Sequence, residues 1–354
     1  MPSHKEYLII GQGLAGTLLA LELRRSGLPF RILEGRLPYS GSAVATGILN
    51  PVTGKRLAKS WRFECFIDTA RQAYRKWEEL LGEVFFRETR LLRLFQGREE
   101  RKVWERKKNL PEYVGLLGES HPPGRFSEFL RDEFGSFEIQ QAAVLDVQEL
   151  LKAAKQLFDA EGSICKETFR HEDLQAGPEK VVWKNKSFGT VLFCEGFRVR
   201  ENPWFGWIAM EPARGEIQTI RAKNSLPEGI LNRGKWLKPA GNGVYQAGAT
   251  YSWDQLESKP NALGLQEMQT GLESMVHQRL EVLERKIGVR PATKDRRPVA
   301  GFHPEHHCLG VLNGLGAKGS LMGPWLARHL VEVMRKRGPI DREVDVRRFP
   351  LASS

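Results

Sequence analysis

The chain has 354 residues, of which 41% are hydrophobic and 27% charged, and it carries a formal net charge of +11. This composition is that of a folded globular protein with a sizeable core, which excludes an intrinsically disordered chain. Four scattered cysteines without a Cys-x-x-Cys pair argue against a zinc ribbon or a disulfide framework, and no apolar run approaches the roughly 20 residues that span a bilayer. We therefore expect a soluble, cytoplasmic protein without a membrane span.

The first 34 residues have the pattern of a dinucleotide-binding βαβ unit. An apolar strand at 7–10 leads into the turn Gly11-Gln12-Gly13-Leu14-Ala15-Gly16, a helix is predicted over Thr17–Ser26, and a second apolar run ends on Glu34. A GxGxxG motif alone is weak evidence. Its place between a strand and a helix, with an acid closing the next strand, predicts a dinucleotide site.

Each glycine of this turn has a structural role. Gly11 permits the tight turn, Gly13 lets backbone N–H groups approach a pyrophosphate, and Gly16 lets the helix pack closely on the strand. The pyrophosphate then lies at the positive end of the helix dipole. Glu34 can accept hydrogen bonds from a ribose diol and repels a 2′-phosphate, so NAD and FAD remain possible whereas NADP is disfavoured.

The segment Ser40–Pro51 is an uncharged loop of mostly small residues. Small residues let a backbone lie against a flat ring system. A flexible surface loop is the alternative, but Val44, Ile48 and Leu49 favour a buried loop that contacts the cofactor.

The remaining elements are predicted from hydrophobic periodicity. Asp146 followed by Glu149 has the form of a capping box at the start of a helix. The predicted helices are Phe66–Leu81, Val147–Ala160, about Leu263–Ile287 and Gly323–Arg337, and the predicted strands include 90–95, 181–183 and 190–196. We therefore expect an α/β cofactor domain assembled from residues 1–81, 143–205 and 295–354, with a substrate domain inserted twice, at 82–142 and 206–294.

Several segments together resemble one family. Beside the opening motif stand Thr46–Pro51, Arg214–Ile217, Gly248–Tyr251, Arg290–Asp295 and Asn313–Pro324. They resemble the D-amino-acid oxidase superfamily of flavoproteins, in particular glycine oxidase and the oxidase half of a bacterial enzyme that modifies tRNA wobble uridines. The resemblance covers both ends of the chain and hardly any of its middle.

The resemblance implies an α/β, two-domain fold. It comprises a Rossmann-like FAD-binding domain of the glutathione-reductase type and an inserted substrate domain with a mixed or antiparallel sheet. It also implies non-covalent FAD, because relatives that attach the flavin use a cysteine where this chain has Ala292-Thr293. Glu195 departs from the small residue usual at its position, and we expect it to be solvated or paired. The implied cofactor contacts are Gly11, Gly13, Leu14, Ala15, Gly16, Glu34, Gly35, Arg36, Ala45, Thr46, Gly47, Ile48, Lys166, Cys194, Gly196, Gly314, Gly316, Ala317, Lys318 and Gly319.

Two cations are the implied catalytic residues. Arg290 matches the family's substrate arginine, whose guanidinium grips a carboxylate; the alternative is an exposed arginine at a helix C-terminus. Lys318 would place a point charge near the flavin N1/O2 edge or the substrate; the alternative is a solvent-facing lysine on a glycine turn.

Two other clusters receive structural interpretations. The run His303–Cys308 contains three histidines, but a Pro-Glu turn within it favours a surface hairpin, and we predict no metal site. The aromatic cluster Trp204–Trp207 is predicted to close the core between the lobes, with contact to a substrate as the alternative.

These observations predict an FAD-dependent oxidoreductase that oxidises a C–N bond of a small amino acid or secondary amine by hydride transfer to the flavin. One alternative is flavin-dependent oxidation of a carboxymethylaminomethyl group on tRNA, which the basic charge supports although no RNA-binding module is recognisable. Another is a flavin-binding subunit without turnover of its own. The substrate, the electron acceptor and the oligomeric state stay open at this stage.

Overall fold

A computed structural model describes residues 6–35, 38–336 and 338–351. Its helices are α1 Leu14–Arg25, α2 Phe63–Leu81, α3 Arg98–Lys107, α4 Val147–Ala160, α5 Ala262–Glu273 and α6 Gly319–Lys336. Its first strands are β1 Tyr7–Ile10, β2 Phe30–Leu33, β3 Ile48–Leu49, β4 Val52–Thr53, β5 Ala58–Lys59, β6 Phe86–Glu88, β7 Leu91–Leu94, β8 Leu117–His121, β9 Ser136–Ile139, β10 Ala143–Leu145 and β11 Ile164–Cys165. The later strands are β12 Leu174–Ala176, β13 Val181–Trp183, β14 Lys186–Phe188, β15 Thr190–Phe193, β16 Ala213–Ala222, β17 Ile230–Arg233, β18 Lys235–Gly241, β19 Val244–Gly248, β20 Leu280–Arg290, β21 Val299–Phe302 and β22 Leu309–Asn313.

A six-stranded sheet forms the centre of the first lobe, in the order β11-β2-β1-β15-β22-β21. Its first five strands are parallel, and β21 closes one edge antiparallel to β22. Helices α1 and α6 pack on each other, and α2 packs on α6. In parallel sheets of this kind ligands bind beyond the carboxyl ends of the strands. That end of β1 carries the glycine turn.

An eight-stranded mixed sheet forms the second lobe, in the order β20-β16-β19-β18-β17-β7-β9-β8. All neighbours in it are antiparallel except β17 and β7, which run parallel. A smaller sheet, β3-β10-β6, joins residues from three separate parts of the chain. The predicted α/β architecture with two lobes and an inserted mixed sheet is confirmed, whereas the domain boundaries remain a prediction.

The predicted helix Leu263–Ile287 is wrong in its second half. The helix α5 ends at Glu273, and the chain then forms β20, the longest strand of the large sheet. The segment is rich in Leu, Glu, Lys and Arg, which favour helices. Antiparallel pairing along the whole of β16 overrides that weak preference.

Helices α1 and α2 begin slightly earlier than the sequence indicates, whereas α4 begins at its predicted residue with the Asp146 half of the predicted capping box formed. The Asp146 carboxylate accepts a hydrogen bond of 3.1 Å from the Glu149 amide at the start of α4, as predicted. Helix α1 begins at Leu14 and α2 at Phe63, each three residues before its predicted start. In the part of the chain that the structure describes, no helix is both long and apolar enough to cross a bilayer.

Helix α6 begins at Gly319, four residues before its predicted start, and it contains Pro324. Proline has no N–H, so the carbonyl of Ser320, four residues earlier, loses its helical donor. The buried Tyr74 hydroxyl of α2 replaces that donor with a hydrogen bond of 2.7 Å to the Ser320 oxygen. One side chain therefore satisfies the carbonyl that proline leaves free and ties α2 to α6.

Replacing Tyr74 by Phe should lower the free energy of unfolding by about 1–3 kcal/mol, because a buried carbonyl would lose its donor. Urea denaturation of the purified proteins measures this. Tyr7→Phe is the matched control, since the Tyr7 hydroxyl makes no hydrogen bond within the described residues. Equal loss in both variants would contradict the role given to Tyr74.

Candidate active site

A cavity of about 830 Å³ lies between the two lobes. On one side it is lined by the turn after β1, the loop 40–50 and the segment 313–320. On the other side it is lined by residues of β7, β16, β17, β18 and β20. Ligand sites commonly occupy a few hundred to about 1,000 Å³ and lie where lobes meet.

Close backbone packing shapes the dinucleotide end of this cavity. Gly11 has φ +102°, and a Cβ added to it would lie 2.8 Å from the carbonyl oxygen of Cys194. A Cβ on Gly16 would collide with the carbonyl oxygen of Gly11. Glycines are therefore required here for the strands β1 and β15 and the helix α1 to come together, as the sequence predicts.

The N-terminus of α1 faces the cavity. The amide of Leu14 donates a hydrogen bond of 2.9 Å to the Ser42 hydroxyl, and a Cβ on Gly13 would lie 3.1 Å from that same oxygen. Unpaired amides and the helix dipole favour an anion at such a position. The Gln12 side chain adds a buried Nε2 that has no hydrogen-bond partner in the described residues. These hydrogen-bond donors at a helix N-terminus fit a pyrophosphate, so this end of the cavity suits FAD.

Glu34 and Gly35 line the same end. The Glu34 carboxylate forms an ion pair with Lys155 of α4, and Gln148 and Leu151 of that helix also line the wall. The acid stands at the end of β2, where a ribose diol would meet it.

The predicted small-residue loop does line the cavity. Gly47 has φ +68°, and a Cβ there would collide with the Leu145 carbonyl oxygen. The Lys238 ammonium of β18 donates a hydrogen bond of 3.0 Å to the Thr46 carbonyl oxygen, which ties the large sheet to the loop. Burial lowers the pKa of Lys238.

The end of β15 also lines the cavity. Glu195 is paired, as expected: its carboxylate accepts a hydrogen bond of 2.7 Å from the Asn202 amide and lies 3.1 Å from His171 Nε2. The Asn313 amide donates a hydrogen bond of 2.9 Å to the Gly196 carbonyl oxygen. Burial raises the pKa of the Cys194 thiol well above its usual value, so this cysteine stays neutral.

Arg290 ends β20 inside the cavity, so it is not at a helix C-terminus. Its guanidinium lies flat against Gly215 of β16, where any Cβ would collide with it. The Tyr251 ring covers it with the centroid 4.1 Å from Cζ, and Nη1 is 3.4 Å from the Thr250 carbonyl oxygen. Burial lowers the pKa of Arg290, and no carboxylate pairs with it among the described residues.

Lys318 is partly buried on the turn before α6, and its side chain does not line the cavity. Its ammonium donates a hydrogen bond of 2.7 Å to the Ser60 hydroxyl, and burial lowers the pKa of Lys318. It is therefore neither a solvent-facing lysine nor, in this geometry, a contact of the cavity.

Most of the predicted cofactor residues meet at the cavity. Those that line it are Gly11, Gly13, Leu14, Ala15, Glu34, Gly35, Ala45, Thr46, Gly47, Ile48, Cys194, Gly196, Gly316, Ala317 and Gly319. Gly16 packs behind the wall, and Arg36 lies outside the described residues.

Two further predicted cofactor contacts need correction. Lys166 is exposed on the surface, with its ammonium 3.8 Å from the Asp159 carboxylate, and it does not line the cavity. Gly314 has φ +72° and packs under Thr293 and Pro298, so it shapes the turn and does not line the cavity.

The structure adds cavity residues that sequence reasoning did not single out. Ser42 and Gln12 lie within predicted motifs, so their position in the sequence could have identified them as cavity residues. The others come from β17 and β18 and from the β4–β5 hairpin, where no motif marks them; they include Lys55, Asn232, Lys235 and Trp236.

The histidine run has a structural role. His303 Nδ1 accepts hydrogen bonds from the amides of Glu305 and His306, at 3.2 and 3.1 Å. Its ring also hydrogen-bonds the Trp204 backbone, and burial lowers the pKa of His303. Although His303, Glu305 and His306 lie within 4.8 Å of one another, both ring nitrogens of His303 are occupied. The aromatic cluster is core, with Phe205 fully buried against Phe193.

The His171–Glu195 pair predicts a pH-dependent contribution to stability. The hydrogen bond to Glu195 raises the pKa of His171 above 6.5, so its stabilisation is complete below that pH and is lost as the pH rises through the raised value. The difference in Tm between the protein and His171→Gln should therefore be larger at pH 5.5 than at pH 8.5. His277→Gln, at an exposed histidine, should show no such trend; an equal trend would refute the assignment.

Comparison with known proteins agrees with this geometry. Residues 6–333 match the model of the DAO family, FAD dependent oxidoreductase. The uncharacterized oxidoreductase YurR of Bacillus subtilis is 21% identical over 95% of this chain and 97% of its own length. The tRNA 5-methylaminomethyl-2-thiouridine biosynthesis bifunctional protein MnmC of Campylobacter concisus is 26% identical over 88% of this chain and 49% of its own length, so the chain spans about half of that relative. The glycine oxidase structure from Geobacillus kaustophilus superposes with a TM-score of 0.81 at 20% identity, over 96% of this chain and 100% of that one. The chain belongs to the DAO family of FAD-dependent oxidoreductases.

Proposed function

We propose that this enzyme oxidises a C–N bond of a small amino acid or secondary amine. The observation that carries the proposal is Arg290, a cation on the cavity wall that no carboxylate of the described residues neutralises. A guanidinium held in a desolvated site binds a planar carboxylate through two parallel hydrogen bonds. A substrate carboxylate would supply the missing charge.

The surroundings of Arg290 define what the protein contributes to such a reaction. Gly215 and Tyr251 hold the guanidinium plane from either side, which fixes the orientation of a bound carboxylate. Ile217, Ile230 and Trp236 line the chamber beside it and keep water from a bound amine. When bound, FAD supplies an isoalloxazine that accepts the hydride lost from carbon. Positioning and desolvation are then the tasks of the protein, and no acid–base pair is needed.

The cofactor would be held without a covalent bond. The amides at the start of α1 and the Gln12 side chain would bind the pyrophosphate, and Glu34 would bind the ribose. Ala292 and Thr293 offer no thiol to the flavin. None of the four cysteines forms a disulfide within the described residues, which suits a cytoplasmic enzyme in a reducing compartment.

Lys318 is proposed as a second cation of the site. Its ammonium is fixed by Ser60, whose hydroxyl in turn donates a hydrogen bond of 2.9 Å to the Asn50 carbonyl oxygen. Asn50 lines the cavity, so this chain of hydrogen bonds connects the buried charge to the cofactor loop. A positive charge behind that loop would stabilise negative charge that develops on the flavin or the substrate.

Oxidation of a carboxymethylaminomethyl group on tRNA is the second candidate. Tyr251 and Trp253 are exposed beside Arg290, with ring centroids 6.5 Å apart, and exposed aromatic rings can stack on bases. Relatives named for tRNA modification also match this chain. It ranks second because two rings form a small platform and no RNA-binding module is recognisable.

Acid precipitation of the FAD-loaded protein should release all flavin into the supernatant. Gly13→Val should abolish flavin uptake, because its side chain would fill the space beside Ser42 at the helix terminus. Absorbance at the flavin bands measures both. Gly97→Val is the control, since a Cβ on Gly97 meets open space. Yellow colour in the pellet, or normal uptake by Gly13→Val, would contradict the proposal.

Arg290→Met should keep its flavin and lose roughly 2–5 kcal/mol of binding free energy for carboxylate substrates or inhibitors. Gly215→Ala should weaken the same ligands, because its Cβ displaces the guanidinium. Flavin spectral titration gives the dissociation constants. Arg200→Met, at an exposed arginine, is the control and should bind them unchanged. Unchanged affinity in yellow, folded Arg290→Met would leave Arg290 with a structural role only.

A further inference from the structure

The charges on the cavity wall are distributed unevenly. Its carboxylates, Glu34 and Glu195, both stand at the dinucleotide end, whereas its cations, apart from Arg198, belong to the strands and the hairpin of the substrate end. The cations of the wall are Lys55, Arg93, Arg198, Lys235 and Arg290.

Three of these cations are neutralised by the protein. Arg93 pairs with Glu100, Arg198 with Glu257 and Lys235 with Glu267. Within the described chain, Lys55 and Arg290 have no such partner. The substrate end of the cavity therefore offers two free positive charges, of which the proposed reaction uses only Arg290.

Hydrogen bonds hold the backbone on either side of Lys55 in place. It stands in the turn of the β4–β5 hairpin, directly after Gly54, whose carbonyl oxygen accepts a hydrogen bond of 3.0 Å from the buried Arg93. Two residues on, the carbonyl oxygen of the buried Leu57 accepts hydrogen bonds from Tyr113 at 2.9 Å and Lys107 at 3.2 Å. The backbone that carries Lys55 is thus fixed, although its side chain is exposed.

The two free cations are attached to different strands of the large sheet. Arg290 belongs to β20, the first strand of the large sheet, and the Lys55 hairpin is bound to β7, the sixth. Five strand spacings of about 4.8 Å place β20 about 24 Å from β7 across the sheet, a separation that the twist of the sheet shortens. The wall between them is apolar at Leu91, Ile230 and Ile217.

We infer that the substrate carries two anionic groups separated by an apolar chain, with a carboxylate beside the amine held by Arg290 and a second anion held by Lys55. This inference rests on the proposed function and narrows its substrate class to dianionic amino acids or secondary amines. A lysine ammonium is a compact point charge that accepts carboxylate or phosphate without a fixed geometry. Because the Lys55 side chain is exposed, the gain from the second contact is modest and salt-sensitive.

Linear α,ω-dicarboxylates and monocarboxylates of matched chain length test this on the FAD-loaded protein, by titration of the flavin absorption spectrum. At one chain length the diacid should bind about two- to fivefold more tightly than its monoacid partner at low salt, as expected for an exposed ion pair. Lys55→Met should abolish that ratio and Lys55→Arg should keep it. Arg56→Met is the matched control, on the same turn but outside the cavity wall, and should also keep it.

Equal binding of diacids and monoacids at every chain length would overturn this inference and leave the proposed function intact, provided that monoacid binding still depends on Arg290. Insensitivity of all carboxylates to Arg290→Met would instead defeat the proposed function. A short single-stranded RNA could also compete with the diacids for the cavity. If it did so at lower concentrations than any diacid, and if Lys55→Met abolished that competition, the ligand of Lys55 would be a polyanion and the inference of a small dianion would be refuted.

Discussion

The whole site depends on backbone approaching backbone where no side chain fits. Gly11 stands against the Cys194 carbonyl, Gly47 against the Leu145 carbonyl and Gly41 against the Val289 carbonyl. Each contact closes one wall of the cavity against another, so the parallel sheet, the small-residue loop and the large sheet meet around one space. A methyl group at any of these positions would separate two elements that come from distant parts of the chain.

The two ends of the cavity offer an anion different kinds of positive group. The dinucleotide end offers an anion amides, the α1 dipole and the Gln12 side chain, and the charged wall residues described there, Glu34, Glu195 and Arg198, all have partners. The substrate end instead holds cations, two of them unpaired. Dipoles hold a permanent cofactor without competing for the substrate's charge, and the free cations stay available for a ligand that must arrive and leave.

Sequence reasoning succeeded where the signal is local. The turn after β1 and the acid that closes β2 are marked by residues close together in the sequence, and the Asp146 carboxylate caps α4 through an amide three residues away. It failed for residues 280–287, because the β16 strand that makes them a strand is about 60 residues away in sequence. It likewise missed Lys55, because the place of Lys55 on the cavity wall depends on a hydrogen bond from Arg93, which belongs to a different strand, β7. Glycine at 215 shows its purpose only once the Arg290 side chain is seen to lie on it.

The net charge of +11 can be interpreted from the distribution of paired and unpaired cations. Many arginines and lysines pair with acids on the surface, and such exposed pairs add little to stability. Lys55 on the cavity wall and its neighbour Arg56 outside that wall remain unpaired within the described chain. Field lines from unpaired cations at a cleft with apolar walls concentrate anions at its entrance, which raises association rates more than affinity. Under the proposed function, the basic charge would act on the arrival of an anionic substrate, whereas Arg290 would act on its orientation.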